Sequence, residues 1–173
     1  MGAGKTSVGR ALAGKLGWSF EDLDDRVERR ERRTVAEIFR ADGESAFRSA
    51  ERAALQELLS ELRSRPKRVL AVGGGAFVQQ QNADLIEAAG LPTIFLDATS
   101  DELWRRCSET PQAAERPLLG NLESFRNLYN TRRAYYLKAS FQQSTSGKSV
   151  EQVAAEIIQA FALDSPSGLQ GEK

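Results

Sequence analysis

The sequence predicts an α/β fold built on a parallel sheet, and three observations carry that prediction. Short apolar runs alternate with helical stretches along the chain, the order in which right-handed crossovers lay parallel strands side by side. Gly4, Lys5 and Thr6 match the last three positions of the pattern Gly-x-x-x-x-Gly-Lys-Ser/Thr, whose glycines let backbone N–H groups close around phosphate oxygens ahead of a helix. Asp22-Leu23-Asp24 and Gly73-Gly74-Gly75 each follow a strand-like run, which places both at the carboxyl rim where such sheets hold ligands.

Each element has its own local reason. Val8, Leu12 and Leu16 recur at helical spacing, and Gly17 is the expected stop. Trp18-Ser19-Phe20 alternates as a short strand, and residues 25–33, charged almost throughout, read as a solvated helix. Thr34-Val35-Ala36-Glu37 is a capping box that opens a helix through Ile38 and Phe39, ended by Asp42-Gly43. Residues 44–63 form a long amphipathic stretch along Phe47, Ala50, Ala54, Leu55 and Leu58, closed by Pro66. Residues 68–72 and 92–97 are candidates for buried strands, with a helix over 82–89 between them. Ser100 is the expected cap of a helix through Cys107. Residues 108–120 hold Pro111 and Pro117 without any period and read as a mobile loop. A helix over 122–138, a short strand over 141–145 and a final helix capped by Ser149 complete one domain over residues 1–163. The polar tail, 164–173, is expected to be disordered.

Composition narrows the chemistry. Lysine plus arginine equals aspartate plus glutamate, 24 each, so no net charge draws the chain to nucleic acid or to an anionic membrane. The single cysteine, Cys107, excludes an intramolecular disulfide framework. There is no histidine, so acid–base work falls to Asp, Glu, Lys, Tyr or Cys. No apolar run is long enough to span a bilayer and no signal-peptide pattern is present. The expectation is a cytoplasmic monomer.

The candidate site residues follow from these patterns. Lys5 is placed to reach β- and γ-phosphates, and Thr6 to offer its hydroxyl to Mg²⁺. Asp22 and Asp24, two residues apart at a strand end, can face one cleft and serve a metal and a substrate hydroxyl, though taken alone the pair reads first as a solvated acidic turn beside Glu21, Asp25 and Glu28. Arg48 follows Phe47 on the long helix. Three successive glycines cost backbone entropy and mark close approach by a ligand. Arg116, in Arg116-Pro117-Leu118-Leu119, sits where a lid would swing onto a phosphoryl group, and Arg132 or Arg133, ahead of Tyr135-Tyr136, would hold an anion.

In this order (Gly-Ala-Gly-Lys-Thr, Asp22-x-Asp24, Glu37-Ile38-Phe39, Gly43-Glu44, Phe47-Arg48, the glycine triplet, Arg116-Pro117-Leu118-Leu119, Arg132-x-x-x-Tyr136) the chain resembles the shikimate kinase family from Met1 to about Leu163. The resemblance implies a P-loop kinase fold, three-layer α/β/α with a parallel sheet in strand order 2-3-1-4-5 and a lid over about 108–120. It implies transfer of the ATP γ-phosphoryl group to the 3-hydroxyl of shikimate with Mg²⁺, on the route to chorismate and aromatic amino acids. It assigns ATP contacts to Gly2, Ala3, Gly4, Lys5, Thr6, Ser7, Arg106 and Arg116, and the metal to Thr6 and Asp22. Shikimate falls to Asp24, Arg48, Gly73, Gly74, Gly75 and Arg132, with Asp24 as base or orienter and Lys5 and Arg116 beside it in catalysis. Arg133 stays open as the alternative to Arg132, since Ala134 stands where the family often has proline.

One departure is large. The family carries a strand and the loop's first glycine ahead of the position of Met1, and that strand lies at the sheet's centre. Its lack is expected to bare ladder groups on two neighbours and open an apolar gap. The expected cost exceeds a domain's whole margin of roughly 5–15 kcal/mol, so Met1 is expected to be an internal methionine of the loop. The rival expectations are a non-catalytic relative with an incomplete loop, or another small-metabolite kinase such as a gluconate kinase.

Overall fold

The computed structural model describes residues 2–62, 64, 67–109 and 121–163. Helix α1 (Lys5–Leu16) starts at Gly4, whose φ of 80° is the left-handed turn that only a glycine enters cheaply. Strand β1 (Ser19–Asp22) leads into α2 (Leu23–Glu31), and the Asp22 carboxylate caps that helix by accepting from the Asp24 backbone N–H. Helix α3 (Val35–Leu62) is broken at Gly43, where φ is 80° and ψ 179°, as Asp42-Gly43 foretold. Its capping box is formed: Glu37 accepts from the Thr34 N–H at 2.7 Å, and Thr34 Oγ1 accepts from the Glu37 N–H at 3.2 Å. Strand β2 (Arg68–Ala71) runs into α4 (Gly74–Phe77), a short helix opened by the glycine triplet that propensity does not foresee.

Helix α5 (Gln80–Ala88), strand β3 (Ile94–Asp97) and helix α6 (Ser100–Ser108) follow. The cap of α6 is Thr99, not Ser100: the Thr99 backbone is extended and its hydroxyl accepts from the Glu102 N–H. Helix α7 (Leu122–Tyr136), strand β4 (Phe141–Ser144) and helix α8 (Val150–Ala160) complete the chain, the last with a full capping box between Ser149 and Gln152. Most of the expected lid, the Pro66 stop and the polar tail lie outside the described residues, and Ser108 belongs to α6.

The strands pair in parallel, β1 with β2 (Ser19↔Arg68 to Asp22↔Ala71) and β3 with β4 (Ile94↔Phe141 to Asp97↔Ser144). Side chains alternate between two helical layers. Val69, Ile94 and Leu96 pack with Val8, Leu12 and Leu16 of α1 and with Val153 and Ile157 of α8. Leu70 packs with the Phe47–Leu58 stripe of α3 and with Leu23 and Val27 of α2.

The two ladders are not joined. Between β2 and β3 lies a cavity of about 420 Å³, lined by Val69, Leu70, Ile94 and Phe95 among other apolar side chains. This is the gap that the implied strand order places at the sheet's centre. It corrects the reading of both runs as buried strands: Val69, Leu70, Ile94 and Phe95 are only half-buried, because among the described residues each strand has a neighbour on one side alone.

Candidate active site

The rim of the sheet gathers the sequence-predicted groups. Thr6, in the first turn of α1, donates its hydroxyl to Asp22 Oδ2 at 2.8 Å, so the end of the loop and the end of β1 meet. Lys5 lies close enough to Asp24 to draw its carboxyl toward ionisation. Asp24 opens to solvent at the cleft mouth, yet the protein atoms crowding its carboxylate, and then the charge of Asp22, outweigh Lys5 and push the carboxyl above its ordinary range. Gly2 and Ala3 continue the loop, with Gly2 against Leu103 and Cys107 of α6, while Ser7 sits exposed one residue past Thr6.

The glycine triplet is the floor against which the other groups close. A Cβ at Gly73 would lie 3.5 Å from Asp24 Oδ1. One at Gly74 would lie 2.5 Å from the Tyr136 hydroxyl, and one at Gly75 2.8 Å from Arg48 Nη1, both closer than real Cβ contacts permit. Close approach therefore explains two of the three glycines, and the approaching groups are the protein's own side chains.

Arg48 is gripped from both sides. Its Nη2 donates to Glu44 Oε1 at 2.9 Å and its Nη1 to Glu51 Oε2 at 3.1 Å. Glu51 is 1% exposed and also accepts from Gln79 Nε2 at 2.8 Å. Burial pushes its carboxyl up, and the neighbouring Arg48 pulls it back. Sequence reasoning passed over Glu51 and Gln79. The signal was there for Glu51, an acid four residues after Phe47 on a stripe that is otherwise apolar.

Helix α7 separates its two candidate arginines. Arg133 Nη2 bonds Asp97 Oδ2 at 3.0 Å, and Tyr129 donates to Asp97 Oδ1 at 2.7 Å, so Arg133 is held at the end of β3. Arg132 instead stands on the face of α7 that carries Tyr136, where its charge acts on the phenol; the Tyr136 hydroxyl donates to the Gly74 carbonyl at 3.2 Å. Arg106 sits apart, donating to Thr145 Oγ1 and to the Thr145 carbonyl, each at 3.0 Å, and to Glu102 at 2.5 Å. No described contact joins it to the triplet. Arg116 lies outside the described residues.

A glycine-turned loop at a helix start, a lysine and paired acids beside it, and arginines around a concave floor define an α/β phosphotransferase of the P-loop class. The comparisons with known proteins specify it further. The chain belongs to the shikimate kinase family, whose model matches residues 1–162. It is 41% identical over 165 residues to a shikimate kinase of Cereibacter sphaeroides, covering 94% of this chain and 79% of that protein. A shikimate kinase of Persephonella marina is 35% identical, over 91% of this chain and 92% of its own length. Among solved structures, shikimate kinase from Acinetobacter baumannii in complex with shikimate superposes with a TM-score of 0.83 at 33% identity, covering 98% of this chain and 91% of that one. The Aquifex aeolicus enzyme gives 0.79 at 31% identity, over 94% and 92%.

Proposed function

We propose that this site transfers the γ-phosphoryl group of ATP to the 3-hydroxyl of shikimate. The observation that carries the reading is the convergence of Asp24, Arg48 and the Arg132–Tyr136 pair on the glycine triplet, next to Lys5 and Thr6 of the phosphate loop. Family membership favours it over a gluconate kinase.

Phosphoryl transfer asks the protein mainly for positioning and charge stabilisation. Gly2 to Ser7 cradle the ATP phosphates, and Lys5 stabilises the charge that develops as the phosphoryl group leaves. Asp24 accepts a hydrogen bond from the attacking hydroxyl and takes its proton; burial first, and then the charge of Asp22, raise its carboxyl above the ordinary range. Arg48 and Arg132 hold the substrate carboxylate through charge-assisted bonds, and the triplet's backbone lines the substrate. Arg116 and Arg106 act on the nucleotide side.

ATP-using kinases work with a divalent metal, and the residues present fit Mg²⁺. Thr6 Oγ1 and Asp22 Oδ2, 2.8 Å apart at the loop, are hard oxygen donors. Among the described residues no group of three or more acids, histidines or cysteines gathers to cage an ion, as suits a metal that keeps waters and shares phosphate oxygens. When bound, it neutralises phosphate charge. No helix among the described residues is long and apolar enough to cross a membrane.

A coupled ADP-release assay with Mg·ATP tests the reading, run with shikimate and with gluconate. The expected result is ADP release with shikimate alone. Release with gluconate alone would make the chain a different metabolite kinase, and nucleotide binding without release on either would make it a non-catalytic relative.

A further inference from the structure

The Tyr136 phenol sits where three parts of the rim meet. Its ring packs on Phe95 of β3 with centroids 5.3 Å apart, which fixes the direction of the Cβ–O axis. Its hydroxyl donates to the Gly74 carbonyl at 3.2 Å. Arg132 stands four residues back on the same face of α7, near enough for its charge to act on that oxygen. A phenol oxygen accepts and donates at once, so it joins the arginine to the glycine floor. The Gly74 carbonyl and the Gly75 N–H belong to one planar trans peptide, so holding the first aims the second away from Tyr136. A Cβ on Gly74 would meet the hydroxyl at 2.5 Å, so Gly74 is small because Tyr136 is there.

We infer that Tyr136 is a positioning residue for substrate binding: its hydroxyl holds the Arg132 guanidinium in register with the Gly74–Gly75 peptide, so that both meet one carboxylate-bearing substrate. The inference rests on the shikimate reading above. It assigns the hydroxyl no proton transfer and no contact with the nucleotide. The same contacts give the ring and the hydroxyl separable tasks, since the ring alone packs on Phe95.

Tyr136→Phe tests it, because it removes one oxygen and keeps the ring. The expected result is a shikimate KM raised about fivefold to twentyfold, the range of one hydrogen bond to a charged group, with kcat within about twofold and the ATP KM unchanged. Arg132→Ala should raise the same KM, and the two effects should combine to less than their product in the double variant, since the hydroxyl acts in part through the guanidinium. Gly74→Ala, which pushes the hydroxyl from the other side, supplies the same readout should Tyr136→Phe fold poorly. A Tyr136→Phe enzyme with an unchanged shikimate KM would overturn the inference, as would effects of Tyr136→Phe and Arg132→Ala that simply multiply. Absence of shikimate-dependent turnover in the unmodified chain is a different failure: it removes the kinase reading, and this inference with it.

Discussion

Around the glycine triplet nearly every polar group faces a partner, whereas between β2 and β3 apolar side chains face a cavity. The rim is held by helices and loop ends: Thr6 on Asp22, Arg48 between Glu44 and Glu51, Tyr136 on Gly74. The sheet's centre is held by what packs above and below it, α1 with α8 on one side and α3 on the other. The contacts at the rim thus run between the ends of elements, while those of the core run between faces.

The sharpest way to separate the two regions is Lys5→Ala. It should lower kcat by about 10³-fold, in line with loss of one preorganised charge, while the Tm stays within a degree or two; a large drop in Tm would mean that the loop also carries the fold. Next comes a pair of truncations. Leu58, fully buried against α2, should cost roughly 2–5 kcal/mol as Leu58→Ala. Val69→Ala should cost less than about 1 kcal/mol, because Val69 already borders open space. Equal losses in urea unfolding would show that the cavity is closed in solution.

Arg48→Ala should raise the shikimate KM about tenfold to a hundredfold, the worth of charged hydrogen bonds, and leave the ATP KM alone; an unchanged shikimate KM would remove Arg48 from the substrate. The smallest effect concerns stability at Asp24. Its folded-state pKa is raised, so the folded chain holds that proton more tightly than the unfolded chain. The group is therefore unfavourable above its folded pKa, and that penalty disappears as pH falls below the ordinary carboxylate range of about 3.9. Asp24→Asn should raise the Tm at neutral pH by on the order of a degree, even as kcat falls. A lower Tm would mean that ionised Asp24 stabilises the fold.

Much of this was legible locally. The box at Thr34, the cap at Ser149, the stop at Gly17 and the break at Gly43 are each decided within a few residues, and each formed as read, Ser149 adding a box with Gln152. The cap at Thr99 was misplaced by one because Thr99 and Ser100 both suit the position, and only the extended backbone of Thr99 selects it. Glu51 was hidden because an acid on a helix reads as solvated until a second helix covers it. The partner of Arg133 was hidden because Asp97 comes from 36 residues away. The triplet read as room for a ligand; it makes room for Tyr136 and Arg48 as well.

The open centre also marks the backbone. Phe141 N–H bonds the Thr93 carbonyl and Ser19 N–H the Lys67 carbonyl, and these bonds set the phase of each parallel ladder. The N–H groups of Val69 and Ala71 then turn toward β1, and those of Phe95 and Asp97 toward β4. The amides of Leu70, Ile94 and Leu96 turn toward the cavity. In deuterium exchange, β2 and β3 should show a stripe of every-other-residue protection, slow on the paired edge and fast on the other. Each strand would report, residue by residue, which of its two sides has a neighbour.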